Sequence, residues 1–183
     1  GREYLRANNF AKAEEYATMA LAKNKKCGEA YILIGDVAIH NDNPGKAAEQ
    51  FQQAMYMDSQ NPEGYRRYAN LMAKSSPSSS IDALEQLRQN VPGYPVDLLA
   101  AEISDRAGDM KKAISYYSKV DKSKMENGQL GSYATDLFLT GDYNKALEVA
   151  TFGANKAPRY AAFNRLALYN NTELKNYDAA LAY

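Results

Sequence analysis

The stretch LGSYATDLFLTGDYNKALEVA, residues 130–150, decides the fold. Leu130, Tyr133, Ala134 and Leu137 are spaced three and four apart, as on one face of a helix; after the turn Gly141-Asp142-Tyr143 the pattern resumes with Ala146 and Ala150. The same phrase, a turn followed by an alanine in an apolar helical pattern, recurs along the chain. Its other copies are Asn8-Asn9-Phe10 before Ala13, Asp42-Asn43-Pro44 before Ala47, Gly108-Asp109-Met110 before Ala113, and Lys175-Asn176-Tyr177 before Ala180. With Ala83 as a degenerate member, the alanines follow one another at 34, 36, 30, 33 and 34 residues, and a period sustained this long signals a repeat array.

Each period divides into two apolar-periodic stretches of roughly 12 to 15 residues, the length of a helix, joined by turns short enough for antiparallel packing. Every unit is therefore expected to be a helical hairpin, and the chain to be all-α. The recurring alanines have a physical purpose. Where two helices approach closely a small side chain lets the backbones meet, and a larger one overpacks the contact at about 1–3 kcal/mol.

These spacings resemble the tetratricopeptide repeat pattern. Tyr31, Ile34, Gly35, Ala47, Phe51 and Ala54 match it in one unit, and Leu130, Tyr133, Ala134, Leu137, Ala146, Ala150 and Pro158 in another. Tyr65, Tyr68, Ala69 and Met72 supply a further first helix; Ala113, Tyr117 and Val120 supply a further second helix. The resemblance implies a right-handed superhelical solenoid of stacked hairpins. The expected organisation is a single array over 1–183, with units near 1–27, 28–61, 62–93, 94–126, 127–160 and 161–183. Both ends are expected to fall within helices, as in a fragment of a longer protein. The repeat is irregular between Lys74 and Pro95, where Ser75-Ser76-Pro77-Ser78-Ser79-Ser80 is expected to form a loop or bend before a short helix from Ile81 to Asn90. The next helix is expected over Pro95 to Ala107, with Asp97 where the pattern wants a large apolar residue.

Charge directs the chain to no particular class of polyanion. Lys and Arg total 22, Asp and Glu total 22, and no local basic patch stands out, so nucleic acid is not an expected partner. No apolar run reaches the roughly 18 residues of a membrane span, so no direct membrane insertion is expected. A single cysteine, Cys27, excludes an intrachain disulfide and a cysteine-rich metal site. It is expected to be a half-buried residue at a helix junction.

Motifs for catalysis are equally sparse, so the chain is not expected to be an enzyme or to carry a cofactor or metal. The only histidine, His40, has no reason to meet Cys27 in a hairpin stack. The carboxylate pairs Glu14/Glu15 and Glu102/Asp105 are explained by solvated helix faces, and no glycine-rich phosphate loop or His-Glu-x-x-His motif occurs. Asn170-Asn171-Thr172 matches a glycosylation sequon by coincidence of composition. Fifteen tyrosines without a tryptophan suit interfaces, yet Tyr31, Tyr65, Tyr117, Tyr133 and Tyr143 fall where the hairpins need packing.

In the family that the chain resembles, the first helix of each hairpin lines a concave groove holding a peptide or partner helix. By repeat position this implies Glu29, Ile32, Asp36 and His40; Glu63, Arg66, Asn70 and Lys74; Leu98, Glu102, Asp105 and Arg106; and Thr135, Phe138, Arg165 and Tyr169. The mixed charge of this set favours a partner with its own charge pattern. Arg66 and Asn70 resemble the start of the carboxylate clamp of chaperone-binding members, but Leu99 stands where the clamp needs its next asparagine. The leading expectation is a scaffold that binds another protein or peptide. Self-assembly into an oligomer is one alternative. The other is part of a glycan-binding surface lipoprotein of a bacterial cell envelope, which fits the abundance of tyrosine and asparagine but lacks an insertion to carry a sugar site.

Overall fold

The computed structural model describes residues 1–181, and among them all regular structure is helical. In chain order the helices are α1 (Arg2–Arg6), α2 (Phe10–Lys23), α3 (Gly28–His40), α4 (Pro44–Met57), α5 (Pro62–Met72), α6 (Pro77–Asn90), α7 (Asp97–Arg106), α8 (Met110–Tyr117), α9 (Asn127–Leu139), α10 (Tyr143–Lys156), α11 (Ala161–Glu173) and α12 (Tyr177–Ala180). A short 3-10 turn, Lys122–Lys124, precedes α9. The chain forms two compact units, one from Gly1 to Val96 holding α1–α6 and the other from Asp97 onward holding α7–α12. In each, consecutive helices pack pairwise as hairpins.

The recurring turn has one backbone solution. Asn8, Asp42, Gly108, Gly141 and Lys175, one from each of five hairpins, all adopt positive φ, between 53° and 85°. Each ends its helix in the left-handed conformation. The amide of the following residue then donates back to the carbonyl five residues earlier: Asn9 to Tyr4, Asn43 to Ala38, Asp109 to Ser104, Asp142 to Leu137 and Asn176 to Asn171, all at 2.8–2.9 Å. That following residue also opens the next helix. The Asn9, Asn43, Asp109 and Asp142 side chains accept from the amides of Lys12, Lys46, Lys112 and Lys145 at 3.0–3.3 Å. Two adjacent residues thus close one helix and start the next, which is why the phrase reads Gly-Asp or Asn-Asn. Gly141→Val is expected to cost about 1–2 kcal/mol, read as a lower urea midpoint, because a β-branched residue resists positive φ.

The hairpin of α5 and α6 departs from this rule. Its connector, residues 73–76, has no positive-φ residue; Ala73 stays right-handed and Ser76 caps α6 without a side-chain bond. Only Ser75 and Ser76 of the serine run lie in the connector; the rest is not the loop or bend expected from its composition. Pro77 takes the first helical position, where its fixed φ suits a helix and its missing N–H is no loss. Ser78–Ser80 then lie within α6, and the fully buried Ser80 hydroxyl donates to the Ala69 carbonyl at 2.5 Å. The helix is therefore 14 residues long rather than the ten or so expected. In α7 the start moves from Pro95 to Asp97, which sits in the first turn, where a carboxylate is favourable.

Close helix contacts occur where the sequence places small residues. Ala13, Ala47, Ala113 and Ala146 have no solvent exposure, and Ala83 almost none. A Cβ on Gly35 would lie 2.4 Å from the Phe51 ring, and one on Gly153 would lie 2.5 Å from the Phe163 ring, so each glycine is a seat for an aromatic face. Around Phe51 gather Ile32, Ala38, Ala47, Ala54, Tyr68 and Ala83, the core of α3–α6. A neighbouring cluster joins Ala13 and Ala17 of α2 to Ala30, Leu33, Ile34 and Val37 of α3. Tyr65 and Tyr117 are each about 1% exposed, so the repeat-position tyrosines among them are packing residues.

Candidate binding surface

In the first unit, the expected groove residues converge only in part. Asp36 and His40 of α3 and Asn70 of α5 line one cavity of about 450 Å3, together with Leu5, Ile39 and Arg67. Arg67 is the organising cation. Its guanidinium reaches Asp36 at 3.2 Å and Glu63 at 2.9 Å. Burial raises the Asp36 carboxyl above its usual range, and Arg67 opposes that shift. His40 is fixed by stacking on Phe10 of α2, with ring centres 4.2 Å apart.

The remaining residues of that set lie elsewhere. Arg66 turns back to Glu63 on its own helix at 3.0 Å and does not line the cavity. Glu29 pairs with Arg2 and accepts from Asn61 at 3.3 Å, while Lys74 is exposed beyond the end of α5. Ile32 is a correction: at 2% exposure it belongs to the core around Phe51, because it lies on the face of α3 turned toward α4.

The second unit builds a separate cavity of about 320 Å3. Its walls come from Asp105 of α7, from Gly128, Gly131, Ser132, Thr135 and Asp136 of α9, and from Tyr160, Ala162 and Leu166 at and within α11. Asp136 is its unusual member. The residue is 4% exposed, and its Oδ2 is buried with no hydrogen-bond partner. Burial, reinforced by the Asp105 charge, pushes its carboxyl up to about 6. The same burial and the carboxylates of Asp105, Glu102 and Asp136 raise the phenol of Tyr117, which stacks on Tyr133 at 5.3 Å.

Around this cavity the expected residues have defined partners. Glu102 accepts from Gln129 of α9 at 2.6 Å and from Arg106 at 3.5 Å. Phe138 sits between Tyr143 and Tyr169, with ring centres 5.5 and 6.4 Å away, and Tyr169 is half exposed. Arg165 is exposed on α11. Sequence reasoning missed Arg67, Asp136 and Tyr160. Only Asp136 left a signal: it is a charge set between Tyr133 and Leu137, the packing positions of its helix.

A further cavity of about 530 Å3 opens between α4 and α6 in the first unit. Two of its polar pairs are joined, Gln52 donating to the Tyr68 hydroxyl at 3.1 Å and Asn90 to the Tyr65 hydroxyl at 2.7 Å. Cys27 is half-buried at the start of α3, and His40 is occupied by Phe10. The sequon is unsuited to glycosylation. Asn170 is fully buried in α11 and donates to the Leu166 carbonyl at 2.7 Å. Among the described residues no helix is long and apolar enough to cross a membrane, and no cluster of three or more His, Cys, Asp or Glu could hold a metal.

Residues 1–62 match the tetratricopeptide repeat family. No curated protein matches the chain by sequence. Among solved structures the chain is similar to YrrB, described as a tetratricopeptide repeat protein with an unusual peptide-binding site, at 17% identity and a TM-score of 0.72 over 93% of this chain and 89% of that one. It is also similar to PilW, described as a widely conserved type IV pilus biogenesis factor, at 19% identity and a TM-score of 0.63 over 100% and 86%. A third is PilF of Pseudomonas aeruginosa, at 19% identity and a TM-score of 0.68 over 99% and 84%. The family match covers residues 1–62, and beyond it the same turn and the same buried alanines continue through α12, in the fold of the solved tetratricopeptide repeat structures.

Proposed function

We propose that the chain is a protein-binding scaffold that holds another protein against the first helices of its hairpins, at α3 and α5 in one unit and, as a separate surface, at α7, α9 and α11 in the other. The observation that carries this reading lies in the cavity of α7, α9 and α11, where the buried Asp136 carboxylate leaves Oδ2 without a hydrogen-bond partner. A polar group left unpaired in a cleft is costly unless a ligand completes it. The peptide-binding description of YrrB supports the same reading.

The test introduces charge at lining positions that are exposed, His40 and Asn70, or half-buried, Thr135. His40→Glu/Asn70→Glu in the first unit and Thr135→Glu in the second are expected to keep the wild-type circular dichroism and melting temperature while losing a partner that the wild type captures from source-cell lysate. Capture that is undiminished in both variants would contradict the reading. Light scattering over a range of concentrations separates partner binding from self-assembly, which would raise the mass without any second protein.

A further inference from the structure

We propose that the cavity of the second unit receives a lysine or arginine side chain of the bound segment, with its cationic head between Asp136 and Asp105 and its aliphatic stem against Tyr160 and Leu166. This rests on the scaffold reading above and names the chemistry of the partner at one position.

Three observations converge. The first is the unsatisfied acceptor: Asp136 is almost wholly buried, lines the cavity, and leaves Oδ2 without a hydrogen-bond donor. A buried carboxylate in this state calls for a cation, and a charge-assisted bond is the strongest way to satisfy it. The second is the lack of a local cation to serve that purpose. Arg106, next to Asp105 in sequence, is bound to Glu102 instead, and Arg165 of α11 is exposed and does not line the cavity.

The third is the shape and character of the walls. A volume near 320 Å3, lined by two carboxylates together with Tyr160, Ala162 and Leu166, is larger than a bare metal ion needs. It suits a cation on a long aliphatic stem, which buries its methylenes along apolar surface while its head finds the acid. Gly128 and Gly131 meet the same need, since a Cβ at either would touch nothing within 4 Å and the approach for a peptide backbone stays open. The Thr135 hydroxyl, which donates to the Gly131 carbonyl at 2.8 Å, keeps an oxygen lone pair free to accept from an ammonium or guanidinium.

The experiment follows backbone amide shifts by NMR on the full chain, at physiological salt, as two probes are added: an end-blocked peptide alternating lysine and alanine, and its acetyl-lysine counterpart. The lysine peptide is expected to shift the amides of Gly131, Ser132 and Asp136, and to bind at least about tenfold more tightly than the acetyl-lysine peptide. Asp136→Asn is expected to weaken the lysine peptide by about tenfold or more, and Glu148→Gln on α10, an acid outside the cavity, by less than about twofold. No shift of those amides at about 2 mM peptide, or equal weakening by the two variants, would overturn the proposal. If the peptide shifts α9 and α11 but binds Asp136→Asn as well as wild type, the cation pocket falls and the scaffold reading stands. Shifts confined to α8 and α10 would remove both.

Discussion

Ala146→Phe is expected to destabilise the protein by about 3 kcal/mol, lowering the melting temperature by roughly 6–12 °C. Ala146 has no solvent exposure, lies on α10, and occupies the repeat position at which α10 meets its neighbours α9 and α11. A phenylalanine ring has no void to enter there, so the helices must separate or the ring must leave its preferred rotamer. The same substitution at Asn144, exposed on the same helix, is expected to change stability by no more than about 0.5 kcal/mol. Thermal unfolding of the two variants side by side reads the difference. Equal melting temperatures would mean that the buried alanines do not set the helix spacing, and the repeat assignment would lose its physical basis.

Asp136→Asn is expected to do the reverse: stabilise the protein and impair its binding. The Asp136 carboxyl is raised from 3.8 to about 6 by burial and by Asp105. The sign follows from proton linkage. Well below pH 3.8 the carboxyl is protonated in both folded and unfolded chains, and no ionisation penalty applies. Between about pH 4 and 6 the unfolded chain releases its proton while the folded chain retains it, so stability falls as pH rises. Above pH 6 the full penalty applies, about 3 kcal/mol at 1.4 kcal/mol per unit. Asparagine removes the titration. Its gain, about 2–3 kcal/mol in urea unfolding at pH 7.5, is expected to shrink toward zero at pH 4. A variant less stable than wild type at pH 7.5 would show that the Asp136 charge is compensated within the protein, and a cation from a partner would then have nothing to supply.

A residue whose removal improves folding but weakens binding is a mark of function, since sites that must accept a ligand keep groups that the empty fold would rather lose. The contrast with Ala146 is informative. Both residues are buried on adjacent helices of one hairpin, yet only one of them has its needs met by the chain itself.

The hairpins were legible in the sequence because their constraints are local and repeated. A turn that must close one helix and open the next in two residues accepts few pairs, so Asn8-Asn9, Gly108-Asp109 and Gly141-Asp142 announce themselves. The serine run misled for a related reason. Serine and proline are common in loops, but proline is also well suited to the first turn of a helix, and what decided between them was the Ala69 carbonyl that accepts from Ser80. That partner is eleven residues away and invisible to a local pattern.

The candidate surface was legible at the level of helices but less so for individual side chains. Asp36, His40, Asn70 and Asp105 line cavities, while Arg67 rather than Arg66 reaches across to Asp36. Adjacent residues on a helix point about 100° apart, so an error of one residue in assigning the groove face exchanges one arginine for the other and sends Ile32 into the core. Asp136 was missed because a charged residue beside a packing stripe is ordinarily solvated. Its isolation depends on Tyr160 and Leu166, which the chain brings to it from two dozen or more residues away.

The most direct test of the central claim is site-specific photo-crosslinking in the source cells, with a benzophenone amino acid placed at one exposed or half-buried position at a time. Asn70 of α5, Thr135 of α9 and Tyr169 of α11 probe the first helices; Gln53 of α4 and Asn144 of α10 probe the second. A common protein adduct formed from the first-helix positions and absent from the second-helix positions is the expected result. Adducts formed equally from both sets, or only from α4 and α10, would contradict it.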